Sequence, residues 1–379
     1  MKILLTGAHF TPALAVIEEL KKTRGVKITY VGRKTTLEGD KAQSVESKVL
    51  PTLGVKFIPI ITGRLQRSLT IYTIPSLLKI PVGLLQAFWI ILTEKPDVIL
   101  SFGGYVSVPI VLMGWLWSVS IIVHEQTLVP GLANKITSLF ADKIALSFEK
   151  DSSLSGKTIL TGNPIRKEIL NPVKNLSSDF TRVFEYSKKE KLPVILIMGG
   201  NQGSHTINKV VEQCLGKLLK MSCIIHVTGD NKYNDFERLE GLGGREGLEG
   251  YVVKEWVGEE IGGVYNKVDL VIARAGANTL TELAFLGKPA LVIPLFYLYQ
   301  DEQNKNAKYF ESLNLVKILP QAKLSEKSLL ENIKTLLGDL TNLKVKARMA
   351  KKAIIPDAAK RLALETQLLA RRIKYEEEI

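Results

Sequence analysis

Apolar and polar positions along the chain follow two alternating rhythms. Short continuous apolar runs are closed by glycine, proline or polar clusters, and between them apolar residues return every three or four positions. The first rhythm marks strands buried on both faces, and the second marks helices with one buried stripe. Strands are predicted at 2–6, 26–31, 55–60, 97–101, 120–124, 143–147 and 158–161. In the second half they fall at 193–198, 222–228, 250–256, 268–273, 289–293 and 316–319. Helical patterns lie near 204–220, 260–266, 278–286, 302–313 and 325–337. The first helix carries Ala13, Val16, Ile17 and Leu20, with Thr11 as expected N-cap and Pro12 at the first helical position. Strands alternating with helices predict βαβ units and parallel sheets, twice over.

The first series stops at GNPIRKEILNPVKN (162–175), and a second begins at LPVILIMGG, which sets a boundary near Gly162–Asn163. A last helix follows Ile355-Pro356-Asp357 and runs to about Lys374, apolar at Leu362, Leu364, Leu368 and Leu369. The proline ahead of it permits a return to the first domain.

Composition narrows the class. A chain of 379 residues, 46% hydrophobic and 23% charged, is globular and long enough for two domains. Cys214 and Cys223 stand apart in apolar stretches, as expected of reduced core residues in a cytoplasmic protein. Met1 leads straight into KILLT with none of the marks of a signal peptide.

The net charge of +13 is unevenly spread. Residues 1–170 hold 20 Lys and Arg against 12 Asp and Glu. From Ser47 through Thr93 there are five bases (Lys48, Lys56, Arg64, Arg67, Lys79) and no acid. That window contains IPVGLLQAFWIIL (80–92), 13 residues with one polar member. A spanning helix needs about 20 apolar residues, so this one is too short to cross a bilayer. It fits either a helix lying on an anionic membrane or a buried core helix beside a solvated basic loop. The bases are not interleaved with stacking aromatics, which disfavours nucleic acid.

Candidate chemistry gathers in three glycine-bearing turns that follow predicted strands: TGAH (6–9), SFGGYVS (101–107) and MGGNQGSHTIN (198–208). Each precedes a helical pattern, so each presents free N–H groups and a positive dipole end at a sheet's C-terminal edge. Together they predict a cleft that holds phosphates. None reads GxxxxGK[ST], which disfavours an ATP-hydrolysing P-loop. Between Arg274 and Asn306 a glycine turn, a helix with Glu282, a buried strand and a polar cluster including Asp301, Glu302 and Gln303 follow in order. That order suits a carboxylate for ribose hydroxyls and polar groups for a sugar.

The motifs FGGYVS (102–107), HEQTLVPGLANK (124–135), GNPIR (162–166), GGNQGSHTIN (199–208), RAGANTLTE (274–282), DEQNKNA (301–307) and IPDAAKR (355–361) resemble the MurG family of glycosyltransferases. The resemblance covers nearly the whole chain in the family's order. It implies a GT-B fold: two Rossmann-like domains with parallel sheets facing across a cleft, and a C-terminal helix crossing back. The domains would be 1–163 with 357–379, and 164–356. It further implies inverting transfer of N-acetylglucosamine from UDP-GlcNAc to a polyprenyl-pyrophosphate-linked muramyl-pentapeptide. No cofactor or metal is implied, and the chain would act at the cytoplasmic face of the plasma membrane.

Position by position, the resemblance implies donor contacts from Arg166, Asn201, Gln202, Trp256, Val257, Gly276, Ala277, Asn278, Thr279, Glu282, Glu302 and Gln303. Glu282 would take the ribose hydroxyls, and Arg166 a donor phosphate. Thr6, Gly7, Gly103, Gly104, Tyr105, Thr127 and Asn134 would serve the acceptor. The chain departs from the family at Leu4, Leu5 and Ala8, where glycines are usual, and at Thr127, Asn201 and Glu302.

Transfer requires the acceptor hydroxyl to lose a proton as it attacks. A neutral imidazole suits that task, so His9 is the expected general base, with Glu125 as rival. His124, His205 and His226 read as structural. No DxD sequence occurs, so the usual metal–diphosphate ligands are not visible. Two other readings stand beside this one: another lipid acceptor, such as diacylglycerol, or a catalytically reduced membrane-bound scaffold.

Overall fold

A computed structural model describes residues 1–35, 43–63, 73–149, 156–200, 203–242, 248–296 and 299–377. Two compact units emerge, Met1–Ile165 with Asp357–Ile379, and Arg166–Pro356.

The first unit holds β1 (Lys2–Thr6), β2 (Lys27–Gly32), β3 (Lys56–Pro59), β4 (Val98–Ser101), β5 (Ser120–Glu125), β6 (Lys143–Leu146) and β7 (Thr158–Leu160). They form one sheet in the order β3-β2-β1-β4-β5-β6-β7, every pairing parallel. A parallel sheet must be covered on both faces, and alternate residues of β1 show how. Ile3 and Leu5 join a core with Ala13, Val16 and Ile17 of helix Phe10–Leu20 and with Leu362 and Leu369 of the C-terminal helix. Leu4 points the other way, into a core with Ala87, Ile90 and Ile91 of helix Thr73–Glu94 and Ile110 and Val111 of helix Ser107–Leu116.

The second unit holds β8 (Val194–Met198), β9 (Cys223–Val227), β10 (Tyr251–Lys254), β11 (Leu270–Ala273), β12 (Ala290–Val292) and β13 (Val316–Ile318). Their order is β10-β9-β8-β11-β12-β13, again parallel throughout. Ile195, Ile197 and Ile272 pack with Ile207 and Val211 of helix His205–Leu218 and with Leu329 and Ile333 of helix Glu326–Gly338. Cys214 and Cys223 are buried free thiols in this unit, and burial pushes both up to about 11.

All thirteen predicted strands are present, each end within two residues of its expected place. The helices differ more. The first begins at Phe10 with His9 at the N-cap, not Thr11, and Pro12 lies inside the first turn, where its missing N–H has no intrahelical partner to lose. The apolar segment 80–92 belongs to a 22-residue helix, Thr73–Glu94. Helix Ser178–Glu190 was not read from the sequence, because its buried stripe is only Phe180, Val183 and Phe184 among charged neighbours. The final helix, Ala358–Glu377, buries Ala359, Leu362, Ala363, Leu369 and Ala370, whereas Leu364 and Leu368 are exposed.

In each sheet the order reverses once, between β1 and β4 and between β8 and β11. Such a reversal opens a crevice at the strands' C-terminal ends, where open α/β sheets bind ligands.

Candidate active site

The turns at 6–9 and 101–107 follow β1 and β4, so the reversal sets them side by side. Two backbone bonds stitch them together: Phe102 N–H donates to Thr6 O (2.7 Å) and Ala8 N–H to Gly103 O (2.9 Å). Gly104 has φ +79°, and a methyl group there would meet the Ala8 side chain at 2.5 Å. The side chain at position 8 therefore leans on the one neighbour that has none.

His9 stands at the N-terminus of its helix, half-buried, with Nδ1 2.7 Å from Nε2 of Gln126. Burial first, then the cationic Arg33, lowers its pKa to about 4, so the imidazole is neutral at pH 7. Glu125 ends β5 and is buried. Its Oε1 accepts from the Thr127 backbone N–H (3.1 Å) and hydroxyl (2.9 Å), and its Oε2 from Asn134 Nδ2 (2.8 Å). Held by three donors, this carboxylate braces the loop after β5. Among the described residues, three buried polar atoms at this edge have no partner: Thr6 Oγ1, Gln126 Oε1 and Asn134 Oδ1. Native interiors rarely leave such atoms unpaired, so their concentration here marks a place for a polar ligand. Tyr105 lies beside Arg33, whose guanidinium is 6.0 Å from the ring centre.

At the second reversal the means differ. Helix Ala277–Leu286 starts after the β11 turn with Gly276 at its N-cap and no side-chain cap, leaving the positive helix end to Ala277, Asn278 and Thr279. Glu282, one turn further on, is buried and receives a two-pronged contact from Arg166, Nε to Oε1 at 2.7 Å and Nη2 to Oε2 at 2.9 Å. The residues expected to take ribose and phosphate are thus paired with each other. Val257 is buried and Trp256 exposed, both just beyond β10. Gln303 Oε1 accepts from Leu295 N–H (3.0 Å), and Glu302 opens helix Glu302–Ser312. Gln300 and Asp301, just before it, adopt left-handed backbone (φ +51° and +59°), a conformation costly for non-glycine residues and concentrated at functional sites. Asn201 and Gln202 lie outside the described residues, as do Arg64 and Arg67.

Two contributors escaped the sequence reading. Arg274, directly after β11, donates Nη2 to Ser204 Oγ (2.7 Å) and Nη1 to Ile293 O (2.9 Å). Gln126 holds His9. Both sit inside motifs already singled out, but their partners are far along the chain. The remaining histidines have internal partners: His124 with Gly162 O and Ser147, His226 with Tyr251 and Asn208, and His205 with buried Asp235 at 2.8 Å. Among the described residues no three His, Cys, Asp or Glu side chains gather as a metal-ligand set.

Comparison with known proteins agrees with this fold. The Glycosyltransferase family 28 N-terminal domain matches residues 6–146, and the Glycosyltransferase family 28 C-terminal domain matches 194–362. A UDP-N-acetylglucosamine–N-acetylmuramyl-(pentapeptide) pyrophosphoryl-undecaprenol N-acetylglucosamine transferase of Clostridium botulinum (strain Loch Maree / Type A3) is 36% identical over 339 residues, 88% of this chain and 90% of that one. The enzyme of the same name from Clostridium kluyveri is 36% identical over 342 residues, 88% and 91% of the two chains. A crystal structure of Acinetobacter baumannii MurG superposes with a TM-score of 0.72 at 25% identity, covering 97% of this chain and 99% of that one.

Proposed function

The chain belongs to the MurG family of glycosyltransferases, and from that membership we infer its reaction. It transfers N-acetylglucosamine from UDP-GlcNAc to undecaprenyl-pyrophosphoryl-MurNAc-pentapeptide, converting lipid I to lipid II in peptidoglycan biosynthesis. The likeness to transferases of that name across nearly the whole chain carries this reading.

In the mechanism we favour, His9 removes the proton from the acceptor hydroxyl as its oxygen attacks the anomeric carbon. The bond to UDP breaks in the same displacement, which inverts the configuration. Neutrality of His9 at pH 7 supports this role, because a base must arrive unprotonated. Glu125, engaged by three donors, suits bracing better than proton removal. Charge grows on the leaving diphosphate, and the helix end at Ala277–Thr279, with no side-chain N-cap, is built to stabilise it. Glu282 would exchange part of its Arg166 contact for the ribose hydroxyls, turning the guanidinium toward phosphate. Val257 and Trp256 would flank the uracil, and Glu302 and Gln303 the sugar. In the first unit, Thr6, Gly7, Gly103, Gly104, Tyr105, Thr127 and Asn134 would receive the lipid pyrophosphate and its sugar.

The acceptor is a lipid, and helix Thr73–Glu94 has the features of a membrane-resting surface. Ala87, Ile90 and Ile91 are buried, while Leu78, Val82, Leu85, Trp89 and Leu92 form an exposed stripe at alternating spacings of four and three. Both readings left open by the sequence therefore find a face of the same helix. Phe88 is 5.7 Å from Trp117, which joins this stripe to exposed Trp115, Leu116 and Trp117. Exposed apolar surface of this extent beside an acid-free basic segment favours peripheral attachment to an anionic membrane. Among the described residues no helix is long and apolar enough to cross one.

The deciding experiment incubates purified protein with radiolabelled UDP-GlcNAc and a panel of acceptors. Label is expected on undecaprenyl-pyrophosphoryl-MurNAc-pentapeptide. Label on diacylglycerol alone would replace the acceptor assignment, and no transfer to any lipid would favour a scaffold.

A further inference from the structure

We propose that Gln126 is a positioning residue for the transfer, its side-chain amide setting which ring nitrogen of His9 carries the proton. The inference rests on the reading of His9 as general base. It starts from two facts: Gln126 Nε2 lies 2.7 Å from His9 Nδ1, and Gln126 Oε1 is buried without a partner among the described residues.

A neutral imidazole has one N–H and one basic lone pair. With the amide nitrogen toward Nδ1, the amide donates to that lone pair. The ring proton then sits on Nε2, and no basic nitrogen remains for a substrate. A half turn of the terminal amide changes this without changing shape. Oε1 then accepts from Nδ1–H, the buried oxygen gains the partner it lacks, and Nε2 presents its lone pair. The amide nitrogen then takes the buried place that Oε1 held. In the reactive arrangement the hydroxyl proton passes to His9 Nε2 while the Nδ1–H···Oε1 bond persists. The new oxygen–carbon bond forms, and the electron pair of the broken bond leaves with UDP.

The residue type fits the task. A carboxylate at this place would also fix the tautomer, but its charge would favour the imidazolium and spoil a base that must arrive neutral. An amide orients without charging. The other charged or titratable groups facing His9 agree with this. Arg33, beyond β2, opposes protonation, His124 on β5 is itself neutral, and neighbouring Glu125 is engaged by Thr127 and Asn134. Gln126 lies 117 residues from His9 in the chain and meets it only because β5 lies beside β4, which lies beside β1.

The test combines spectroscopy with kinetics on the full chain. The chain has four histidines, so ring ¹⁵N spectra of labelled protein resolve into individual sites. In the wild type His9 is expected as the Nδ1–H tautomer, and in Gln126→Leu as mostly the Nε2–H form. The Leu variant should lose about 10- to 100-fold in kcat, with the KM for UDP-GlcNAc within about twofold. Gln126→Glu keeps the shape and a hydrogen-bond acceptor. It should retain activity at high pH while the acid limb of its kcat profile moves up by about one unit or more. An unchanged tautomer in the Leu variant, or an unmoved pH profile in the Glu variant, overturns the proposal. His9→Ala separates the two ideas. Full activity there removes the base assignment, while the tautomer shift in the spectra still decides what Gln126 does.

Discussion

The two sheet reversals share strand order, parallel register and glycine-bearing turns, yet they are equipped differently. At the first, side chains dominate: an imidazole held by an amide, a carboxylate braced by three donors, and three buried polar atoms with no partner among the described residues. At the second, a helix end with no side-chain N-cap, a two-pronged Arg166–Glu282 contact and the bonds of Arg274 to Ser204 and Ile293 dominate. The first arrangement suits moving a proton from a hydroxyl, and the second suits holding an anion. One scaffold, used twice, thus carries different residues at its strand ends.

Removing Glu282 should produce the largest effect and only in the second unit. Glu282→Ala leaves the half-buried Arg166 guanidinium without its carboxylate, at a cost of about 3 kcal/mol. Denaturant unfolding would measure that loss, and the KM for UDP-GlcNAc should rise with it. Glu282→Gln should recover much of the stability but not the KM. A rise in KM for the lipid alone would place the donor elsewhere.

Acid should weaken both units, and the first more, because His9 is lowered there as well as His124. Burial lowers His124 in the first unit and His226 in the second to about 4, well under the usual 6.5. Their neutral forms belong to the fold, so the unfolded chain binds protons first as pH falls below 6.5. Stability is therefore complete above 6.5 and is lost between 6.5 and 4, by on the order of 3 kcal/mol per histidine. Thermal melts across that range test it, and a flat Tm would refute it.

His9→Ala separates the reversals by function. Turnover should fall by about a hundredfold or more while calorimetric UDP affinity stays unchanged. Equal loss of both would mean that the division of labour is false. The smallest effect is expected at the exposed stripe. Trp89→Glu should reduce sedimentation with anionic vesicles by about tenfold, on the scale of one buried aromatic exchanged for a charge, and leave soluble UDP binding intact. Undiminished sedimentation would remove the stripe from the membrane surface.

The sequence by itself determined the strands, the turns and the family. Buried parallel strands are short apolar runs between glycine turns, and both signals are local, so every strand could be read within two residues. Local pattern was weaker for helices that bury a narrow stripe, as at Ser178–Glu190, and it set the first N-cap two residues late. The tertiary structure alone decided which turns became neighbours and which side chains met. His9 with Gln126 and Arg166 with Glu282 are pairs more than a hundred residues apart. Hydrogen bonds between such distant positions leave no periodicity in the chain. His9 meets Gln126 because β1 lies beside β4 and β4 beside β5, and that pairing depends on how two whole faces of apolar side chains are buried at once.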